Sequence, residues 1–203
     1  MQKILKQNFY KHDTLTVAKD LLGKFVVRKI GGKKMVGKIV EVEAYCGPRD
    51  LASHASRGKT ERTKIMFGHP GFAYVYMIYG MYYCFNIVTE SHGYPAAVLI
   101  RAVESVNDRN HRENRRNVIN HIPATNGPGK FCKAFRIDKK MNGVDICRNR
   151  ARPVPPLWIE DRGMKIKKAD IVAAKRIGVE YAKEYKDKLW RFYIKRNEWV
   201  SKK

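Results

Sequence analysis

Glu41 and Glu43 stand two residues apart in the run Glu41-Val42-Glu43-Ala44-Tyr45. In a strand, side chains alternate between faces, so both carboxylates would point to the same side. A carboxylate held away from solvent can take a proton from water if its pKa suits the working pH. The same pair on a surface edge strand would carry no chemistry. His54 and His69 follow in the next polar stretch. With the two glutamates they could form a metal site. They lack the H-E-x-x-H or His-pair spacing of hydrolytic zinc centres, so we expect no metal and no other cofactor.

A second unusual run lies between Ile65 and Thr89, which contains no Lys, Arg, Asp or Glu. Its length would suit a membrane helix. Gly68, His69, Pro70, Gly71 and Gly80, with five tyrosines from Tyr74 to Tyr83, read better as two strands and a turn. An uncharged, tyrosine-rich hairpin could enter a nucleic-acid duplex and fill the gap left by an extruded nucleotide. Alternating tyrosines could equally belong to a core hairpin. Tyr79, at the turn, is expected to be exposed.

The elements that must position these residues are legible in outline. Asp13 or Thr14 caps a short helix carrying Leu15, Val17, Ala18, Leu21 and Leu22, with Gly23 as its stop. Phe25 to Arg28 and Met35 to Tyr45 read as strands joined at Gly31-Gly32. Strict alternation puts Ile39, Glu41 and Glu43 on one face, with Val36, Val40 and Val42 on the other. The loop over 46–64 is long for a compact domain, and such loops tend to be functional. Residues 74–79 and 82–88 form the hairpin, and residues 96–103 form another strand. Residues 107–117 read as a charged, exposed helix or loop. Asn126-Gly127-Pro128 starts a helix that buries Phe131 and Phe135. Residues 150–156 are proline-rich but too short for a linker, and 165–173 and 190–194 read as late strands. The pattern predicts a single domain over 1–203 of α+β class, a curved, mostly antiparallel sheet with flanking helices and a protruding hairpin.

Composition narrows the partners. Forty-two Lys and Arg against 19 Asp and Glu leave a net charge of +23. Such a field favours polyanions, nucleic acid before acidic membrane. Cys46, Cys84, Cys132 and Cys147 are widely spaced with no C-x-x-C pair. This fits free thiols in a reducing compartment. Met1 to Tyr10 is polar and lysine-dotted, unlike a signal peptide. We expect a cytoplasmic protein (nuclear in a eukaryote), with no membrane association and monomeric.

Taken in order, several segments carry a resemblance. They are Glu41 to Asp50, Ser53-His54, Met66-Phe67, Pro70 to Asn86 with its Tyr74-Val75-Tyr76 and Ile78-Tyr79-Gly80-Met81, and Ala97 to Ala102. Gly127 to Cys132, Arg176-Ile177-Gly178 and Trp190 to Tyr193 follow. The chain resembles the alkyladenine (3-methyladenine) DNA glycosylase family across about residues 7–201. The residues from Arg57 to Lys64 and the turn Ser91 to Tyr94 fall where relatives vary.

The resemblance implies a repair enzyme that flips alkylated or deaminated purines out of double-stranded DNA and hydrolyses the N-glycosidic bond. It implies that Glu43 activates the water and Arg101 helps hold it. Tyr45, His54 and Tyr76 would wall the base pocket, and Asn86 would clash with the 2-amino group of guanine. Tyr79, with Met81, would intercalate. Gly127 and Lys130 would lie near the DNA backbone. A non-catalytic nucleic-acid binder, or a metal-dependent nuclease using Glu41, Glu43 and His54, are the alternatives.

Overall fold

The computed structural model describes residues 2–106, 124–147 and 154–202; the charged stretch over 107–117 and part of the proline-rich stretch lie outside these. The fold is α+β, a curled antiparallel sheet with few helices. Among the described residues nine strands form it: β1 (Lys3–Ile4), β2 (Phe25–Ile30), β3 (Lys33–Tyr45), β4 (Ala73–Ile78), β5 (Tyr82–Val88), β6 (Ala97–Ser105), β7 (Leu157–Asp161), β8 (Ile171–Ala174) and β9 (Arg191–Ile194). They run in the order β1-β7-β2-β3-β6-β5-β4. β9 also pairs with β3, and β8 pairs with β9. Among the described residues the α-helices are α1 (Gln7–Tyr10), α2 (Thr14–Leu21) and α3 (Pro128–Ala134).

Local chemistry explains the boundaries. Asp13 caps α2 by accepting the Thr16 N–H, which satisfies one of the free donors at a helix start. The β2–β3 turn takes positive φ at both Gly31 and Gly32, the twist that two-residue hairpins favour. Gly127 and Pro128 open α3 as expected. Phe131 and Phe135 are fully buried, each worth about 1.5–3 kcal/mol of transfer from water.

One expectation needs correction. β3 does not alternate strictly, because its register against β6 shifts twice, between Ile39 and Glu41 and between Glu41 and Val42. The pairs Ile39 with Val103, Glu41 with Ala102 and Val42 with Ile100 leave Val40 extra on β3 and Arg101 extra on β6. Such bulges re-aim side chains. Met35 and Ile39 pack in the main core, but so do Val42 and Ala44, so the phase flips between them. Ile39 therefore does not share a face with Glu41 and Glu43. β6 flips in step: Val98 and Ile100 face the main core, then Val103 does. Arg101 and Leu99 are left on the other face, beside a cavity.

β3 also has three partners. β6 runs along one edge. β2 occupies the first half of the other edge and β9 the second, at Glu41 to Glu43. β7 and β1 extend the sheet beyond β2 and are elements the sequence reading missed. The uncharged run is the β4–β5 hairpin with the short 3-10 turn before it. Among the described residues no helix is long and apolar enough to cross a membrane.

Candidate active site

The face opposite the main core holds a cavity of about 310 Å³. Tyr45, His54, Tyr76, Asn86 and Arg101 all line it, and Tyr79 stands at its rim. The β3 and β6 bulges, the 46–64 loop and the hairpin thus bring most of the sequence-predicted residues together.

Glu43 lies behind that wall. It is fully buried, and two hydrogen bonds and an ion pair hold it. Its Oε1 accepts the Ile177 N–H at 2.8 Å and faces Arg101 Nη1 at 3.2 Å; its Oε2 accepts the Tyr45 hydroxyl at 2.9 Å. A carboxylate offers about four lone-pair sites, and among the described residues the Tyr45 hydroxyl is the hydrogen-bond donor to Oε2, which leaves that oxygen acceptor capacity. Burial first, and then the adjacent Glu43 charge, push the Tyr45 hydroxyl well above its ordinary pKa, so it stays a donor.

Arg101 is shared between two carboxylates. Its Nε donates to Glu41 Oε1 at 3.2 Å while Nη1 faces Glu43. Burial alone would weaken its proton affinity, but Glu43 and Glu41 outweigh this and raise its pKa. Glu41, fully buried, also accepts from Arg191 Nη1 at 3.0 Å and from the Ser201 N–H at 2.7 Å. An uncompensated buried charge is costly, and here each acid is compensated.

The aromatic wall is arranged around His54. Its Nδ1 lies 3.0 Å from the Tyr74 hydroxyl, and its ring sits edge-on to Tyr76 with centroids 4.5 Å apart. Arg62 stacks over Tyr76 at 5.2 Å. Burial, and then Arg62 and Arg57, pull the His54 pKa down to about 4. It is therefore a neutral hydrogen-bonding group near pH 7. Asn86 is buried and donates from Nδ2 to the Tyr74 carbonyl at 3.1 Å. Burial first pushes the Cys84 thiol up to about 11, leaving an inert wall group.

Other predicted residues lie at the edge of the cavity or away from it. The hairpin tip is exposed: Tyr79 is 85% accessible and Met81 68%. Tyr79 and Gly80 both take positive φ, so a non-glycine residue holds a strained turn conformation. Met81 borders a different cavity on the other flank. Pro128 lines the first cavity, while Gly127 and Lys130 do not. Lys130 is exposed and reaches Asn126 Oδ1 at 3.3 Å. His69 packs against His92, ring centroids 4.6 Å apart. Among the described residues, no three His, Cys, Asp or Glu side chains are grouped to hold a metal.

Sequence reasoning gave no role to the segment that completes the site. Arg176 grips Asp50 through Nη1 and Nη2 at 2.6 and 2.8 Å and donates to the Ala44 carbonyl at 2.9 Å. It is sandwiched by Tyr45 and Trp190, 4.8 and 5.0 Å away. This anchor delivers the adjacent Ile177 N–H to Glu43. Tyr181, on the same segment, lines the cavity and donates to the Ala52 carbonyl at 3.2 Å. The only sequence signal for these residues was the Arg176-Ile177-Gly178 resemblance.

The profile of the methylpurine-DNA glycosylase (MPG) family matches residues 8–198. A relative in Alkaliphilus oremlandii is 49% identical over 98% of this chain and 99% of its own. One in Clostridium novyi is 49% identical over 99% of this chain and 100% of its own. An archaeal one, in Methanocella arvoryzae, is 48% identical over 98% and 96%. All three carry the provisional name 3-methyladenine DNA glycosylase.

Proposed function

From the premise that this chain belongs to the methylpurine-DNA glycosylase family, we infer that it extrudes an alkylated or deaminated purine from double-stranded DNA and hydrolyses its N-glycosidic bond. The observation that carries this reading is the fully buried Glu43 behind a ring-lined cavity, its carboxylate held by two hydrogen bonds and the Arg101 ion pair, with acceptor capacity left on Oε2.

The steps follow from that geometry. The everted base enters between Tyr45, Tyr76 and His54, whose rings give it stacking surfaces. The C1′–N bond breaks with its electron pair leaving on the purine. Positive charge builds on the sugar, as in glycoside hydrolysis. The Glu43 carboxylate stabilises that charge and takes a proton from the water that attacks C1′. An abasic site and a free base result, with the strand intact. A cationic base such as 3-methyladenine leaves as a neutral molecule, so it needs no acid; a neutral base such as hypoxanthine takes up a proton from solvent to leave as the free base.

Selectivity comes in layers. A damaged pair costs less to open than a sound one. Asn86, fixed by its bond to the Tyr74 carbonyl, meets the 2-amino group of guanine. Tyr79 fills the vacated stack, with Met81 beside it. The Gly127 backbone and Lys130 approach phosphates. The +23 charge supplies affinity that weakens steeply with salt.

The test is a duplex holding one hypoxanthine, incubated with the protein and EDTA and then treated with hot alkali. Breakage only after alkali supports the reading. Direct nicking that EDTA abolishes favours a nuclease, and binding without product favours a passive binder.

A further inference from the structure

The β4–β5 hairpin has a cavity on each flank. The second, of about 360 Å³, lies between Met81, Tyr82 and Tyr83 on the hairpin and Gly129, Lys133 and Arg136 on and after α3. Pro128 borders the first cavity and Gly129 the second, so the start of α3 divides them. A Cβ on Gly129 would lie 3.0 Å from Tyr82. Any larger residue there would require the Tyr82 side chain to give way.

Two features of the second cavity bear on what it could hold. The first is a pair of cations on its wall. Lys24 and Lys38 are paired with Asp161 and Glu104. Lys133 and Arg136 have no carboxylate partner among the described residues. The one acid on the wall, Asp138, is engaged with the Lys140 N–H at 2.8 Å.

The second feature is the backbone of Arg136. The Arg136 N–H reaches the Lys133 carbonyl at 3.2 Å, and the Ile137 N–H reaches the Cys132 carbonyl at 2.8 Å. This is the Schellman pattern, whose left-handed position favours glycine. Here Arg136 occupies it with φ 50°. Tyr79, Glu90, Lys183 and Arg196 also take positive φ, so the conformation does not mark a site, but it means that glycine can replace Arg136 without backbone cost.

We propose that the second cavity binds the sugar–phosphate backbone of the undamaged strand, opposite the extruded nucleotide. The proposal rests on the first cavity being the base pocket. A wedge that enters a duplex has one strand at each flank, and the flank away from the base pocket faces the partner strand. Lys133 and Arg136 meet phosphates there. Met81 and Tyr82, both exposed, cover sugars and base edges.

The test is the double variant Lys133→Ala/Arg136→Gly. Glycine suits the backbone at 136, so the variant should melt at or above the parent temperature. Binding is read by fluorescence anisotropy over a salt series, on a hypoxanthine duplex and on the lesion strand alone. Duplex affinity should fall about tenfold, and the salt slope should shrink by about two, one per lost phosphate contact. Affinity for the lone strand should not change. Equal loss on the lone strand, or no loss on the duplex, overturns the proposal. So does an equal loss in Lys3→Ala/Lys6→Ala, on and beside β1 at the opposite edge of the sheet, since the effect would then be the diffuse field. A parent protein that shows this dependence but releases no base sinks the excision reading alone.

Discussion

Replacing Glu43 by glutamine isolates its charge and basicity from its packing. A glutamine carbonyl at the Oε1 position keeps the Ile177 N–H, 2.8 Å away, and Arg101 Nη1, 3.2 Å away. The amide nitrogen then falls at the Oε2 position, 2.9 Å from the Tyr45 hydroxyl, which can turn to accept from it. Arg101 still has Glu41. Every buried polar group therefore keeps a partner, and Glu43→Gln should fold and bind a hypoxanthine duplex like the parent. What disappears is the proton acceptor, worth about 10²–10⁴ in rate, together with anionic stabilisation of the cationic sugar. Because one group supplies both effects they overlap. We expect a total loss of about 10³–10⁴, or about 4–5.5 kcal/mol at 1.36 kcal/mol per decade. Single-turnover release, read as alkali-labile strand breakage, measures it. A folded Glu43→Gln protein that excises within tenfold of the parent rate would refute the assignment of Glu43 as base.

Four further outcomes follow from the same geometry. Tyr79→Ser removes an exposed ring, so stability should hold while affinity for a lesion duplex falls by about 1–3 kcal/mol; unchanged binding would remove the wedge. Asn86→Ser should raise release of undamaged guanine in a long-incubation base-release assay, and an unaltered guanine rate would discard the gate. The folded His54 pKa, about 4, lies below its ordinary 6.5, so the unfolded chain binds the proton first. The stability held above pH 6.5 is then lost as pH falls toward 4. His54→Gln should flatten the melting temperature against pH over that window, and an identical slope would count against it. Asp50→Ala strands the buried Arg176 guanidinium. It should cost about 3–5 kcal/mol in urea unfolding; a loss below 1 kcal/mol would contradict the anchoring role.

What was legible in the sequence was local. Asp13, the Gly31-Gly32 pair, the Gly80 turn and Gly127-Pro128 announce their elements because caps and turns depend on neighbours. The base-pocket residues were legible only through resemblance, since Tyr45, His54, Tyr76 and Asn86 come from separate segments. β7 went unread because Leu157, Trp158 and Ile159 are all buried, as suits a strand between β1 and β2, so no alternation marks it. The paired bulges were invisible because inserting Val40 and Arg101 leaves composition unchanged while reversing which side each later residue faces. Arg176, Arg191 and Asp50 escaped because their partners lie far away in sequence, Asp50 126 positions from Arg176 and Glu41 150 from Arg191.

The donors that steady the two glutamates have a bearing on how the protein is made. Ile177 supplies an amide to Glu43, Ser201 supplies one to Glu41, and Arg191 is itself tethered to the Lys202 carbonyl at 2.7 Å. Synthesis is vectorial, so β3 leaves the ribosome long before any of these groups exists. A nascent chain halted before residue 176 would carry both acids without the Ile177 and Ser201 amides that receive them. The two carboxylates are fully compensated only once the segment over 176–202 has been made and has folded back onto β3.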